Sequence, residues 1–230
     1  MYTTLLFDVD NTLLDFDANE KTSFKQLLQD KNEPYSDERY TAYKNLNRSL
    51  WQAVEREQAL AAEVLSTRFS RFMALYDKEV DGAEWEASYR AYLNEGIQEI
   101  PNVHEVLSAL RKSYRLYVIT NGVAPTQHSR LSRSGISLYF EAAFISEEIG
   151  APKPKKIFFD YVKSHIDGFD RKKTLVIGDS LSSDIQGGLN AGIDTCWFCP
   201  NKATNKTQIF PKYTIHALKD LLTLLKVNVC

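Results

Sequence analysis

Past Pro101 the sequence alternates unbroken apolar runs with helical stretches, and that alternation restricts the fold more than any other feature. Leu116-Tyr117-Val118-Ile119-Thr120, Thr174-Leu175-Val176-Ile177-Gly178 and the runs 142–145 and 195–198 read as strands. Helical spacing over 103–113, 126–134, 155–165, 182–191 and 217–225 fills the intervals between and after them. Strands without polar alternation must be covered on both faces, as happens in a parallel sheet. Leu5-Leu6-Phe7 adds one more such strand near the N-terminus. The expected class is α/β, a Rossmann-like parallel sheet core with helices on both faces.

Between Asp17 and about Gln98 the character changes to helix periodicity with almost no strand signal. Asp17-Ala18-Asn19-Glu20 reads as a capping pattern ahead of Phe24, Leu27 and Leu28. After Pro34 and Ser36, three further stretches carry Tyr40, Tyr43, Leu46, Leu50 and Trp51; then Leu60, Val64, Leu65, Phe69, Phe72 and Met73; then Trp85, Tyr89, Tyr92 and Leu93. Four helices with aromatic stripes predict a small bundle, with those stripes as its core. The chain thus divides into a core of residues 1–15 and 99–230 and an inserted four-helix bundle, 16–98. A polar loop is expected over 201–208.

Bulk properties exclude several classes. In 230 residues the net charge is −2, which argues against nucleic-acid backbone binding as the main activity. No apolar run approaches the roughly 20 residues of a membrane span. The N-terminus enters a strand without a basic leader, so no membrane partner and a cytoplasmic location are expected. Cys196 and Cys199 have the spacing of a metal or redox pair, but no second pair exists. They read as structural residues, and Cys230 completes an odd count.

Four stretches carry the chemistry. In Asp8-Val9-Asp10-Asn11-Thr12, two carboxylates two residues apart at a strand end point to one side of the chain. Like charges that close raise each other's pKa unless a cation compensates them, and hard oxygen ligands suit Mg²⁺. A simple turn with Asp8 as a capping residue would also account for this stretch alone. Thr120-Asn121-Gly122 offers a hydroxyl and backbone amides at a strand end, with Gly122 free to take a tight turn. Lys153-Pro154 precedes a helix, where the dipole disfavours a cation, so a partner anion would justify Lys153. Lys155 and Lys156 read as solvated surface charges. Gly178-Asp179-Ser180-Leu181-Ser182-Ser183-Asp184 ends a strand on Asp179, as Asp8 does, and brings Asp184 a little over one helical turn later. Asp184 could also be an ordinary first-turn helix acid. Ligands in such sheets bind beyond the carboxyl ends of the strands, where Asp8, Thr120 and Asp179 all fall.

In this order the four stretches resemble the motifs of the haloacid-dehalogenase-like (HAD) superfamily, and the resemblance covers essentially the whole chain. The helical insertion resembles the mobile cap called C1. Gln127 and Arg130 after Thr120-Asn121-Gly122, with Gly192-Ile193-Asp194-Thr195-Cys196-Trp197-Phe198, resemble the YjjG-like pyrimidine nucleotidases. The resemblance implies that Asp8 is a nucleophile forming an aspartyl-phosphate, and that Asp10 protonates the leaving group and later takes a proton from water. It implies Mg²⁺ held by Asp8, the Asp10 carbonyl and Asp179, with Asp184 in support through water. Thr120 with the Asn121 and Gly122 amides would grip the phosphoryl group, and Lys153 would neutralise it and the nucleophile. Asp10 separates phosphatases and phosphomutases from dehalogenases, whose halide leaves without a proton.

The expected activity is Mg²⁺-dependent hydrolysis of a small phosphomonoester, with a nucleoside 5'-monophosphate first. A sugar-phosphate phosphatase or phosphomutase of the same superfamily is the alternative, and a non-catalytic binding module a more distant one. The leaving group is expected between core and cap, where Phe16, Tyr40, Tyr43 and Trp51 could stack on a base or simply pack. Hinge strands are expected near 14–17 and 97–103.

Overall fold

The structure is a computed structural model and describes residues 1–56 and 58–227. In chain order its main elements are β1 (Thr4–Phe7), α1 (Phe16–Asp30), α2 (Asp37–Glu55), α3 (Ala61–Ala74), α4 (Gly82–Glu95) and α5 (Val103–Leu110). Next come β2 (Arg115–Thr120), α6 (Ala124–Arg133), β3 (Ala142–Ile145), α7 (Ser146–Ile149), α8 (Lys156–Ser164) and β4 (Thr174–Gly178). The chain finishes with α9 (Gln186–Asn190), β5 (Asp194–Phe198), β6 (Tyr213–Ile215) and α10 (Asp220–Leu224). Two compact units result: Met1–Phe16 with Ile97–Cys230, and Asp17–Gly96.

The first unit holds one parallel sheet in the order β3-β2-β1-β4-β5-β6. Central β1 is apolar because both of its faces are covered. Leu5 and Phe7 pack on one side with Leu116, Val118, Leu175 and Ile177, while Leu6 packs on the other with Tyr117, Ile119 and Val176. Burying each such side chain is worth about 1.5–3 kcal/mol, which makes the strand register hard to slip. That register sets Phe7 opposite Val118 and Ile177 and leaves Asp8, Thr120 and Asp179 at one edge of the sheet.

Several local expectations change. The strand β6 was not anticipated; it is short, and its central Thr214 is exposed, so it lacks an apolar run. The helix expected over 182–191 begins instead as a wider π-helical turn, Leu181–Ile185, before α9. Hinge strands shrink to a single antiparallel bridge, Leu14 to Glu99, supported by Ile100 N–H to the Leu13 carbonyl (3.0 Å) and Asp15 N–H to the Gln98 carbonyl (2.9 Å). Cys196 and Cys199 are buried free thiols, and Cys230 lies outside the described residues.

The second unit is the four helices α1 to α4. Its centre is aromatic: Tyr43 stacks on Phe24 at 4.5 Å and on Phe69 at 5.5 Å, and Tyr89 meets Phe69 edge-on at 5.1 Å. Tyr43 is thus a core residue, Tyr40 lies at the edge of the core, and Phe16 and Trp51 are half-buried. The capping pattern at 17–20 is not a cap, since α1 already starts at Phe16. Asn19 and Glu20 point inward instead, Asn19 donating to the Leu93 carbonyl (3.1 Å) and Glu20 accepting from Asn47 (2.9 Å). Among the described residues no helix is long and apolar enough to cross a membrane.

Candidate active site

The carboxyl edge of the sheet gathers the acidic residues. Asp8 follows β1 directly, and the chain then turns sharply, with Asn11 at φ 60° and the Thr12, Leu13 and Leu14 amides all returning to the Val9 carbonyl. Asparagine tolerates that left-handed backbone better than a bulky residue would. The turn brings Thr12 Oγ1 to Asp8 Oδ2 at 3.3 Å. Asp179 follows β4 directly, where Trp197 Nε1 on the adjacent β5 donates to its carbonyl at 2.7 Å. Asp184 turns back beneath β4: its carboxylate occupies the space a Cβ on Gly178 would need, 2.3 Å away, so only glycine fits there. Oxygens of Asp8, Asp179 and Asp184 lie within 4.8 Å of one another.

Lys153 enters this group from the loop ahead of α8 rather than from the helix start itself. Its ammonium donates to Asp8 Oδ1 (2.7 Å), Asp184 Oδ1 (2.6 Å) and the Ile119 carbonyl (2.9 Å). An ammonium has three donors, so all are spent on protein groups. Lys153 therefore neutralises the carboxylates, and the expected direct contact with a phosphoryl group would require exchanging one of these bonds. Asn121 fastens the Lys153 loop through its side chain, giving Nδ2–H to the Lys153 carbonyl (2.9 Å) and accepting the Lys153 amide (2.8 Å).

Thr120 Oγ1 accepts from the Gly122 amide at 3.0 Å and from Gln127 Nε2 at 3.2 Å. The glycine at 122 is needed for close approach and not for a tight left-handed turn: a Cβ there would lie 1.9 Å from Gln127 Nε2. Asp10 is held by α6, its Oδ2 accepting from Gln127 Nε2 at 2.6 Å and its Oδ1 from Arg130 Nη1. The structure thus gathers Asp8, Asp10, Thr120, Asn121, Gly122, Lys153, Asp179 and Asp184 at one sheet edge.

The electrostatics show what this arrangement lacks. Burial pushes the Asp8 carboxyl up to about 7, with Asp184 adding to the rise and Lys153 opposing it. Burial likewise holds Asp179 well above the carboxylate range, reinforced by Asp8 and then Asp184. Burial alone would lower the Lys153 ammonium, but Asp184 and Asp8 outweigh it and keep it charged. Among the described residues, Asp8, Asp10, Asp179 and Asp184 share this edge with Lys153 and Arg130. Full ionisation leaves two negative charges unmatched, and oxygen donors this close suit a hard divalent cation.

The roles of Gln127, Arg130 and Trp197 could not be read from residue type alone. The signal that singled them out was their place in the stretches resembling the YjjG-like nucleotidases, together with polar character at positions 127 and 130, which share one face of a helix three residues apart.

Known proteins align with this geometry over almost its whole length. YfnB of Bacillus subtilis, a HAD-type hydrolase, is 43% identical over 227 residues, covering 99% of this chain and 97% of YfnB. Its magnesium-bound crystal structure superposes with a TM-score of 0.94 over 98% of this chain and 99% of that one. The pyrimidine 5'-nucleotidase PynA of Streptococcus pneumoniae is 42% identical over 99% of this chain and 97% of its own. Pyrimidine 5'-nucleotidase YjjG of Escherichia coli is 32% identical over 96% of each. Residues 5–198, which span the sheet from β1 to β5 and every acidic side chain just described, match the haloacid dehalogenase-like hydrolase family, and the chain belongs to it.

Proposed function

We propose that this hydrolase cleaves phosphomonoesters through an Asp8-phosphate, with Mg²⁺ as cofactor and pyrimidine nucleoside 5'-monophosphates as substrates. The substrate class is supported by PynA and YjjG, both pyrimidine 5'-nucleotidases. The reaction type rests on one observation: a buried carboxylate, Asp8, paired to Lys153, has a second carboxylate, Asp10, two residues away. A halide leaves without a proton, whereas an alkoxide needs one, and Asp10 is available to give it.

Asp8, Asp179, Asp184 and the Asp10 carbonyl are assigned to the cation, which would draw the raised carboxyl pKa values down and screen Asp8 from an anionic ester. An Asp8 oxygen attacks phosphorus, and the phosphorus–alkoxide bond breaks as Asp10 passes its proton to the departing oxygen. Asp10, now a carboxylate, takes a proton from water as that water attacks the phosphoryl group. The Asp8–phosphorus bond then breaks and inorganic phosphate leaves. Thr120 Oγ1 and the Asn121 amide are assigned to the phosphoryl oxygens, joined by the Gly122 amide once it exchanges its bond to Thr120.

Hydrolysis of p-nitrophenyl phosphate with Mg²⁺, compared with EDTA and with Asp8→Asn, tests the chemistry. Full activity in EDTA would remove the cation, and full activity of Asp8→Asn would remove the nucleophile. A panel of UMP, dUMP, dTMP, AMP and hexose phosphates tests the substrate. Preference for UMP, dUMP or dTMP is expected; preference for hexose phosphates would overturn the nucleotide assignment and leave the mechanism standing.

A further inference from the structure

Asp10 projects from a turn, yet its carboxylate is gripped from one side by two residues the mechanism above does not use. Arg130 Nη1 binds Oδ1 and Gln127 Nε2 binds Oδ2, and both come from the same face of α6. Arg130 is 0% exposed and Gln127 1%, while the Asp10 side chain keeps 27% exposure. Burying a guanidinium completely is expensive unless its partners are fixed. Here one partner is the Asp10 carboxylate, and the Phe16 ring lies 5.5 Å from the guanidinium. Gln127 also donates to Thr120 Oγ1, so one amide joins the acid to the phosphate-gripping hydroxyl. The missing side chain at Gly122 makes room for that amide.

We propose that Arg130 and Gln127 are positioning residues that aim Asp10 at the leaving oxygen of the ester. Each carboxylate oxygen has a second lone-pair direction, and occupying one per oxygen orients the other without consuming it. Proton transfer demands that aim within a fraction of an ångström, and a turn residue without such a clamp has several rotamers to visit. In the step concerned, the Asp8–phosphorus bond forms, the phosphorus–oxygen bond breaks, and the Asp10 proton goes to the departing oxygen. An alkoxide leaving group depends on that proton; p-nitrophenolate, the anion of an acidic phenol, leaves without it.

The inference rests on Asp10 acting as the acid in the proposed hydrolysis. Its test is the ratio of kcat/KM for UMP to kcat/KM for p-nitrophenyl phosphate, which is independent of how much enzyme in the sample is folded. Arg130→Met is expected to lower kcat/KM for UMP by about 10–100-fold, the usual loss when a supporting partner is removed. On the same reasoning it lowers kcat/KM for p-nitrophenyl phosphate by less than about threefold, since that step gains little from an acid. Gln127→Leu, a gentler change in the same buried face, is expected to move the ratio in the same direction. Equal losses on both esters in both variants, with the wild type active, would overturn the inference alone. A wild type that hydrolyses neither ester would overturn the parent reading and this inference with it.

Discussion

Each unit buries a cluster of charges, and the two are built differently. In the helical unit Glu86 accepts Arg68 Nε and Nη2 at 2.7 and 2.8 Å, Arg90 reaches the same carboxylate, and Arg68 Nη1 donates to Asn47, which in turn donates to Glu20. Two carboxylates meet two guanidinium groups there, and Tyr40 adds a hydroxyl to Glu20 at 3.3 Å. At the sheet edge, four carboxylates meet two cations among the described residues, and burial, with the neighbouring carboxylates adding to it, drives Asp8 and Asp179 upward. A balanced network closes on itself and specifies packing. An unbalanced one is costly in isolation, and it persists where a ligand of opposite charge completes it.

Breaking the two clusters should give opposite signatures. Asp8→Asn removes the attacking oxygen, and hydrolysis should fall by on the order of 10³-fold or more, read in steady-state assays. Lys153→Met should cost about 10²–10³ in kcat, comparable with losing a key transition-state donor. Lys153→Met also strands Asp8 and Asp184, so denaturant unfolding should show about 3–5 kcal/mol lost in the absence of Mg²⁺. Arg68→Met, in the balanced cluster, should lose a similar 3–5 kcal/mol or so by the same physics. Its folded fraction should keep kcat within about threefold of wild type, as Arg68 shares no hydrogen-bond partner with the residues assigned to the reaction.

Stability against pH sharpens the contrast. Asp8 has a folded-state pKa of about 7 against 3.8 for an ordinary aspartate, so the cation-free folded chain binds more protons than the unfolded chain across that window. Stability of the cation-free protein therefore falls as pH rises through it, and Asp179 acts in the same direction. Saturating Mg²⁺ at ~100-fold above its Kd should raise Tm by roughly 5–10 °C near about pH 8. The rise should be less than about half as large near about pH 5, where protons compete for the same oxygens. A stabilisation independent of pH would break the link between the cation and these carboxylates. The smallest effect is expected from Trp197→Phe, which removes the donor to the Asp179 carbonyl: roughly a tenfold weaker Mg²⁺ affinity by titration calorimetry.

How much of this was legible beforehand follows from the same physics. Unbroken apolar runs announce buried parallel strands, so β3 and β4 fall at their expected bounds. Strand β6 has three residues and an exposed centre, and nothing in its pattern separates it from a loop. The turn Leu181–Ile185 widens where Asp184 folds under Gly178, a tertiary constraint that helical spacing does not encode. Carboxylates at strand ends and a lysine before a helix stand out because local structure gives them little reason to be there. Asn19 and Glu20 mislead for the converse reason: they look like capping residues, yet their partners lie on other helices. Arg130 is legible as a residue type and not as a partner, because the loop joining β1 to α1 and the helix α6 meet only in the folded chain.

The central claim is that phosphate passes through Asp8, and the stereochemical course at phosphorus tests it most directly. Hydrolysis of a phosphorothioate monoester made chiral with two oxygen isotopes, run by the Mg²⁺-loaded enzyme in water of the third isotope, should give chiral thiophosphate with retention, because two in-line displacements each invert the centre. Inversion would mean a single attack by water and would contradict the account.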